Sequence, residues 1–260
     1  MALRFSKGFR NFLNEGGSIK QALANGKILI YTGAQPTTAD DAVAGTLLVT
    51  ITKSGAAHTA EVSATGSVTL TGGASGSVDT VTVNSIDILG GSVAYNTSLS
   101  QTATDVATKI NNNPKNLLFV ASAVGAVITI KAKPGLGTLG NGWVVSATLT
   151  TVTASYVNLG SGVAGVNPAN GLTFGDSAAG VLARNTAETW SGTAVADGTA
   201  GWFRYVGSVS DPGTADSSEV YIRLDGNVAT SGANLNMSNT AIVTGAVQTI
   251  SGFSLTYPAA

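Results

Sequence analysis

The sequence contains no cysteine and very little charge. Its 260 residues include 13 Lys or Arg, 14 Asp or Glu and one His, so charged residues make up 10% and the formal net charge is −1. Without cysteine there is no disulfide and no thiolate chemistry. A net charge near zero gives no overall attraction to nucleic acid or to a membrane surface. So little charge on a large surface is unfavourable for an isolated monomer and favours a subunit buried in an assembly.

Proline and long apolar runs are also scarce. No stretch approaches the apolar length of a membrane-spanning helix, so we expect no membrane partner. No apolar run follows the basic residues Arg4, Lys7 and Arg10, so we expect no signal peptide. Glycine is abundant, with 33 residues. Frequent glycines among small β-tolerant residues predict a mainly β protein of many short strands.

Residues 1–26 predict a helical N-terminal arm. Four large apolar side chains recur at the spacing of one helix face, and basic residues take the other face. The helix is expected to end at Gly16-Gly17. Ser18 and Gln21 then form the capping-box pattern of a second short helix, which Asn25-Gly26 would end.

A helix as short as the first one is marginal in water and needs a packing partner. Either the arm packs on its own β domain, or its Phe stripe docks on a neighbouring subunit. In the second interpretation the partner-contacting residues are Arg4, Phe5, Phe9, Arg10, Phe12 and Leu13.

The remaining sequence predicts a discontinuous domain with an insertion. Residues 27–62 and 157–260 are expected to form a β-sandwich or jelly-roll-like outer domain, because turn signals recur at the spacing such folds need. Residues 63–156 are expected to form a small inserted α+β module. Within the module, 102–112 predicts an amphipathic helix, and 119–131 predicts a hairpin about Gly125.

The stretch 201–224 predicts a strand, a loop and a second strand, closed by a turn at Asp225-Gly226-Asn227. Arg204 and Arg223 have two interpretations: they pair with Asp225 or Glu219, or they point into an interface. The last strand is expected at 253–257, before Pro258. The aromatic residues around this stretch either fill the core or form an exposed strip that binds a glycan or a subunit; they are Trp190, Trp202, Phe203, Tyr205 and Tyr221.

Residues that could support catalysis or metal binding are few. His58 is the only histidine, which makes a metal site or a Ser-His-Asp triad a poor hypothesis. Asp40-Asp41 is expected to be a solvated turn rather than a Ca²⁺ site. The Gly-rich run 135–140 lacks the Gly-Lys-Ser/Thr ending of a phosphate-binding loop. We therefore expect no enzymatic activity, no cofactor and no metal.

The outer parts of the chain contain four segments, 23–52, 172–206, 223–239 and 249–258. Together they resemble a family of tailed-bacteriophage virion structural proteins. Small members of this type run straight from the first segment to the second, whereas here roughly 100 residues intervene. The intervening residues resemble a module found in phage tail and capsid proteins, through 78–90, 102–114 and 124–141.

The resemblance implies a structural component of a virion, at the head–tail neck or collar or in the tail. The alternatives are a capsid decoration protein or a receptor- or glycan-binding virion module. The implied partners are copies of the chain itself and other virion proteins of the portal, neck, tail or capsid. Contact with DNA is not expected, because the few basic residues of the arm could neutralise few phosphates. A host-surface glycan could contact the insertion.

Overall fold

The computed structural model describes residues 3–256, which form two compact units. Unit 1 runs to Ala60 and resumes at Pro168, and unit 2 is Glu61–Asn167. Each unit has its own cluster of buried apolar side chains. Tyr257 and Pro258, at the expected end of the last strand, lie outside the described residues.

The chain is mainly β, as expected from its composition. The helices are α1 (Lys7–Asn14), α2 (Ile19–Leu23) and α3 (Leu99–Asn112). The first strands are β1 (Arg4–Phe5), β2 (Lys27–Thr32), β3 (Leu47–Lys53), β4 (Thr65–Gly72), β5 (Ser77–Val83), β6 (Ile86–Asp87), β7 (Val93–Ala94), β8 (Phe119–Val124), β9 (Val127–Ala132), β10 (Val145–Thr150) and β11 (Thr153–Val157). The later strands are β12 (Val181–Ala183), β13 (Trp190–Thr193), β14 (Gly198–Val206), β15 (Arg223–Ala229), β16 (Leu235–Asn236), β17 (Ala241–Ile242), β18 (Val247–Ile250) and β19 (Ser254–Thr256).

Unit 1 is built on one large sheet. Within residues 3–256 its strand order is β1-β15-β14-β2-β3-β13-β18, with β16 beside β15 and β17 beside β14. The pairs along this path are antiparallel. A small sheet of β12 and β19 contributes Leu182 and Leu255 to the same core.

The two N-terminal helices pack on unit 1. Ser6 caps α1, and Ser18 caps α2 through the predicted capping box with Gln21. Phe9 of α1 and Leu23 of α2 are fully buried in the core of unit 1. Residues 3–23 are therefore part of this unit, and contact with a neighbouring subunit stays a prediction.

The predicted turn at Asp225-Gly226-Asn227 is wrong. These residues lie inside β15, where Asp225 pairs with Arg204 and Gly226 with Phe203. A Cβ atom on Gly226 would lie only 2.6 Å from Cε1 of the Phe203 ring. Gly226 is thus a strand residue whose missing side chain lets the Phe203 ring approach closely. Close approach of another group is a common reason for glycine within a strand, as a turn is for glycine between strands.

Unit 2 combines helix α3 with two sheets. Within the described chain the sheets have the orders β10-β5-β6, with β7 beside β5, and β11-β4-β9-β8. The predicted helix and the hairpin of β8 and β9 are confirmed. Strand β4 was not expected from the sequence, because only Val68 and Leu70 stand out from its small residues. Helix α3 turns Ala103, Val106, Ala107 and Ile110 into the core of the unit.

The chain leaves and re-enters unit 1 at neighbouring positions. Thr59 and Ala169 exchange two backbone hydrogen bonds of 3.0 and 3.1 Å. In unit 2, Val62 and Val166 pair in the same way. Residues 157–167, assigned to the outer domain from the sequence, lie in unit 2 because Leu159 is fully buried in its core.

We expect that removing 61–167 and joining Ala60 to Pro168 with a short Gly-Ser turn leaves unit 1 folded. Thr59 and Ala169, which lie next to the ends to be joined, are already hydrogen-bonded to each other. The core of unit 1 contains no residue from the excised part. Glu61–Asn167 alone should also fold. Circular dichroism melting curves and NMR amide dispersion of both fragments measure this.

The matched control removes 63–156, the boundaries suggested by the sequence. That deletion keeps Leu159 but removes the residues that pack around it. The product should therefore melt at a lower temperature than the product of the 61–167 deletion. Equal melting of the two deletions, or an unfolded product from the first, would contradict the division into units.

Candidate functional site

The predicted contact residues of the N-terminal segment divide into buried and exposed groups. Phe9 is fully buried and lies edge-to-face on Phe5, with ring centroids 4.9 Å apart. Phe12 and Leu13 are partly exposed and pack at the margin of the core. Arg10 is exposed. The surface available to a partner thus lies on the C-terminal half of α1.

Arg4 is partly buried and contacts other residues of unit 1. It faces Asp225 across the β1–β15 pair, and its Nη1 donates to the backbone oxygen of Pro36. Lys7 donates its backbone N–H to Oδ1 of Asp40 at 2.9 Å. The pair Asp40-Asp41, expected to be a solvated turn, therefore helps to seat the segment.

Two arginines are buried on one face of the large sheet. Arg204 makes a two-pronged contact with Asp225, with Nε to Oδ1 at 2.8 Å and Nη2 to Oδ2 at 2.7 Å. The side chains of both residues are completely buried. Burial raises the pKa of Asp225, and the positive charge of Arg204 opposes that rise. The predicted pairing of Arg204 with Asp225 is confirmed.

Arg223 uses a partner that sequence reasoning missed. Its Nε and Nη2 bind the carboxylate of Asp211 at 2.6 and 2.7 Å, and Nη2 also donates to the backbone oxygen of Thr214. Asp211 lies in the loop between β14 and β15, so the pairing ties this loop to the sheet. Both guanidinium groups are buried within unit 1.

The aromatic residues take both faces of β14. Phe203 and Tyr205 join the core, where the ring of Phe253 lies 5.8 and 6.2 Å from theirs. Trp202 alternates to the opposite face and stacks on Tyr31 at 4.7 Å. Trp190 and Trp202 are fully buried, whereas Tyr221 is partly exposed. The cluster is thus mainly core.

Glu188 is a buried carboxylate that the sequence did not single out. Its Oε2 accepts hydrogen bonds from the Thr173 backbone N–H at 2.9 Å and from Trp190 Nε1 at 3.2 Å. Lys53 Nζ lies 3.3 Å from Oε1. Burial acts to raise the pKa of Glu188, but these donors together outweigh it, and the pKa is lowered from its usual value.

This shift predicts a loss of stability in acid. A carboxylate with a depressed folded-state pKa contributes stability above its unfolded pKa, about 4.3, and loses it as the pH falls through the folded value. Glu188→Gln should therefore be less stable than the wild type at neutral pH, and the difference should shrink below about pH 4.3. Urea unfolding across pH measures this difference in stability. A difference that stays constant with pH would contradict the assignment.

The remaining chemical candidates are committed to internal contacts. His58 Nε2 lies 3.0 Å from the backbone oxygen of Asn25, and burial lowers the pKa of the imidazole. The Gly-rich run 135–140 binds an internal anion: Oε1 of the buried Glu61 accepts from the N–H groups of Gly135 and Gly137 at 2.7 and 3.0 Å. Among residues 3–256 no group of three or more His, Asp or Glu side chains is placed to hold a metal ion.

The outer edge of β8 is closed by two asparagines. Asn111 exchanges two 2.8 Å hydrogen bonds with the backbone of Ala121. Asn116 does the same with Phe119 at 3.0 and 3.2 Å. Because side-chain amides occupy these backbone groups, a partner strand cannot add there without displacing them. Leu117, Leu118, Val120 and Val124 nevertheless expose apolar surface along this edge, here called the β8 strip.

No protein-family model matches the chain, and no curated protein matches it significantly. Within residues 3–256, the helices fall short of the length and apolar character that a membrane-spanning helix needs.

Proposed function

We propose that this chain is a structural component of a tailed-bacteriophage virion that assembles through subunit–subunit contacts at the head–tail neck or collar, or in the tail. The observation that supports it is where the resembling segments fall. The outer segments, which begin at 23, 172, 223 and 249, belong to unit 1. The segments of the inserted module, which begin at 78, 102 and 124, belong to unit 2. Two resemblances drawn from sequence thus coincide with two separate cores.

The surface chemistry supports an assembly role. The low charge lets many copies approach closely with little mutual repulsion. Unit 1 exposes Val195, Val243 and Val247, each more than 60% accessible, around the edge strand β18. Backbone groups along such an edge can pair with a neighbour. The role we propose is non-catalytic and needs no cofactor.

We further infer that unit 1 is a sandwich-like domain. The sheet of β12 and β19 shares a core with the large sheet through Leu182, Leu255 and the ring of Phe253. Apolar side chains meeting from two sheets are the defining feature of sandwich packing.

A second candidate is a receptor- or glycan-binding module on the virion surface. The β8 strip favours it, because its apolar side chains are exposed beside a basic residue: Val120 lies directly across from Lys131 on β9. The other alternative is that the chain is a capsid decoration protein, located on the outside of the shell.

The experiment is to locate the chain in purified particles by cryo-electron microscopy and to count its copies. A ring at the neck, or rings along the tail, would support the proposal. Hundreds of copies over the shell would assign it to decoration instead. Absence from the particle would refute a virion role and redirect the search to glycan binding by unit 2.

A further inference from the structure

The N-terminal segment, residues 3–14, occupies a groove on unit 1. One wall of this arm groove is the edge of β15, against which β1 pairs antiparallel through Arg4–Asp225 and Phe5–Leu224. The other walls are the loops at 36–40 and 219–221, which contact Arg4 and Lys7. The segment thus extends the large sheet as its terminal strand.

Ser6 anchors the segment in this groove. Its backbone N–H donates to the oxygen of Arg223 at 3.0 Å, and its Oγ accepts the N–H of Arg223 at 3.0 Å. The same hydroxyl donates to the oxygen of Tyr221 at 2.7 Å. Without the segment, the backbone groups of Arg223 and Tyr221 would lose these partners, which is costly for buried groups.

The fit between α1 and the loop is close. A Cβ atom on Gly8 would lie 2.7 Å from the backbone oxygen of Tyr221, so only glycine permits this approach. The facing residue Glu219 has a φ of 58°, a left-handed conformation unusual for a side-chain-bearing residue. Lys7 Nζ lies 2.7 Å from its carboxylate. The groove is shaped for this particular segment.

The connection between the segment and the rest of unit 1 has the features of a hinge. Only residues 15–18 join α1 to α2, and Gly16 is exposed with a φ of 92°. Each helix carries its own N-cap, Ser6 for α1 and Ser18 for α2. Both N-cap bonds, Ser6 to Phe9 and Ser18 to Gln21, therefore stay on one side of the connection when the segment leaves its groove.

We infer that the arm groove accepts residues 3–14 from a second copy of this chain, so that copies are joined by exchange of identical segments. Each contact that the segment makes with the groove of its own chain is made equally well with the groove of a second chain. Exchange therefore adds little free energy beyond that of extending the hinge. A groove left empty, by contrast, would lose all of these contacts. An eight-residue helix such as α1 is not stable undocked. This inference rests on the proposed assembly role and assigns its contact.

The test uses the absence of cysteine from the natural chain. Lys7→Cys and Glu219→Cys variants are prepared separately, mixed in equal amounts, refolded together at high concentration and treated with a short bismaleimide. A covalent dimer that contains one chain of each variant is expected where residue 7 of one chain meets residue 219 of another. With full exchange into dimers, up to about half of the chains should be linked. The double variant in one chain, at low concentration, shows that the reagent spans the pair.

The matched control is the pair Lys20→Cys and Asp176→Cys. Lys20 Nζ lies 2.9 Å from the Asp176 carboxylate at the surface, but both residues lie on the body side of the hinge. Linked dimers from the first pair and none from the control would support exchange. No linked dimer from either pair would overturn it. Because this test uses purified protein, its failure leaves the location of the chain in particles, and thus the proposed function, as a separate question.

Discussion

Asp225→Asn should destabilise unit 1 by about 3–5 kcal/mol, because it leaves the buried guanidinium of Arg204 without its counter-charge. Arg204 is completely buried and makes two of its hydrogen bonds to this carboxylate. Its remaining hydrogen bond, from Nη1 to the backbone oxygen of Asp41 at 3.0 Å, cannot neutralise the charge. Urea unfolding monitored by tryptophan fluorescence measures the loss, since Trp202 lies beside Arg204.

The control is Asp176→Asn, which removes the exposed partner of Lys20 and should leave the unfolding midpoint unchanged. A double variant, Arg204→Met with Asp225→Leu, should recover most of the stability lost in the single variant, because a buried ion pair can be replaced by apolar side chains of similar volume. A double variant as unstable as the single one would show that the ion pair itself stabilises the fold.

Phe9→Ala should lower the free energy of unfolding by about 3–5 kcal/mol. The substitution removes a fully buried ring from the core of unit 1 and leaves a cavity. The ring packs edge-to-face on Phe5, so its loss should also loosen β1 from β15. Differential scanning calorimetry measures the stability. Hydrogen exchange at the amides of Ser6 and Arg223 reports whether the segment has left its groove, since these two groups bond across it.

Phe12→Ala is the matched control, since the same helix carries this ring at a partly exposed position. It should change stability by less than Phe9→Ala and leave the exchange of those two amides unaffected. Equal effects from the two substitutions would mean that the segment is held by the whole stripe rather than by the Phe9 anchor.

Local features of the fold were predictable from the sequence, because their causes lie within a few residues. The capping box of Ser18 and Gln21 and the hairpin about Gly125 are of this kind. The pairing of Arg204 with Asp225 was one of several options, and only the register of β14 against β15 decides it.

Features that depend on distant segments were not predictable. Arg223 binds Asp211 because of the path of a loop, and Glu61 binds the amides of a Gly-rich run more than 70 residues away. Gly226 was assigned to a turn because a glycine that accommodates a ring cannot be distinguished locally from one that bends the chain. Asn111 and Asn116 hydrogen-bond to backbone groups along the outer edge of β8. No local sequence pattern predicts these bonds.

The paired crossing at Thr59 and Ala169 makes unit 1 a potential display scaffold. Because these two residues are hydrogen-bonded to each other, unit 1 holds the two ends of any guest close together, whatever the guest's length. Doubling the length of a flexible connection adds only about 0.6 kcal/mol of closure cost. An epitope, an enzyme or a different binding module whose own termini lie close together could thus be carried between Ala60 and Pro168 in place of unit 2.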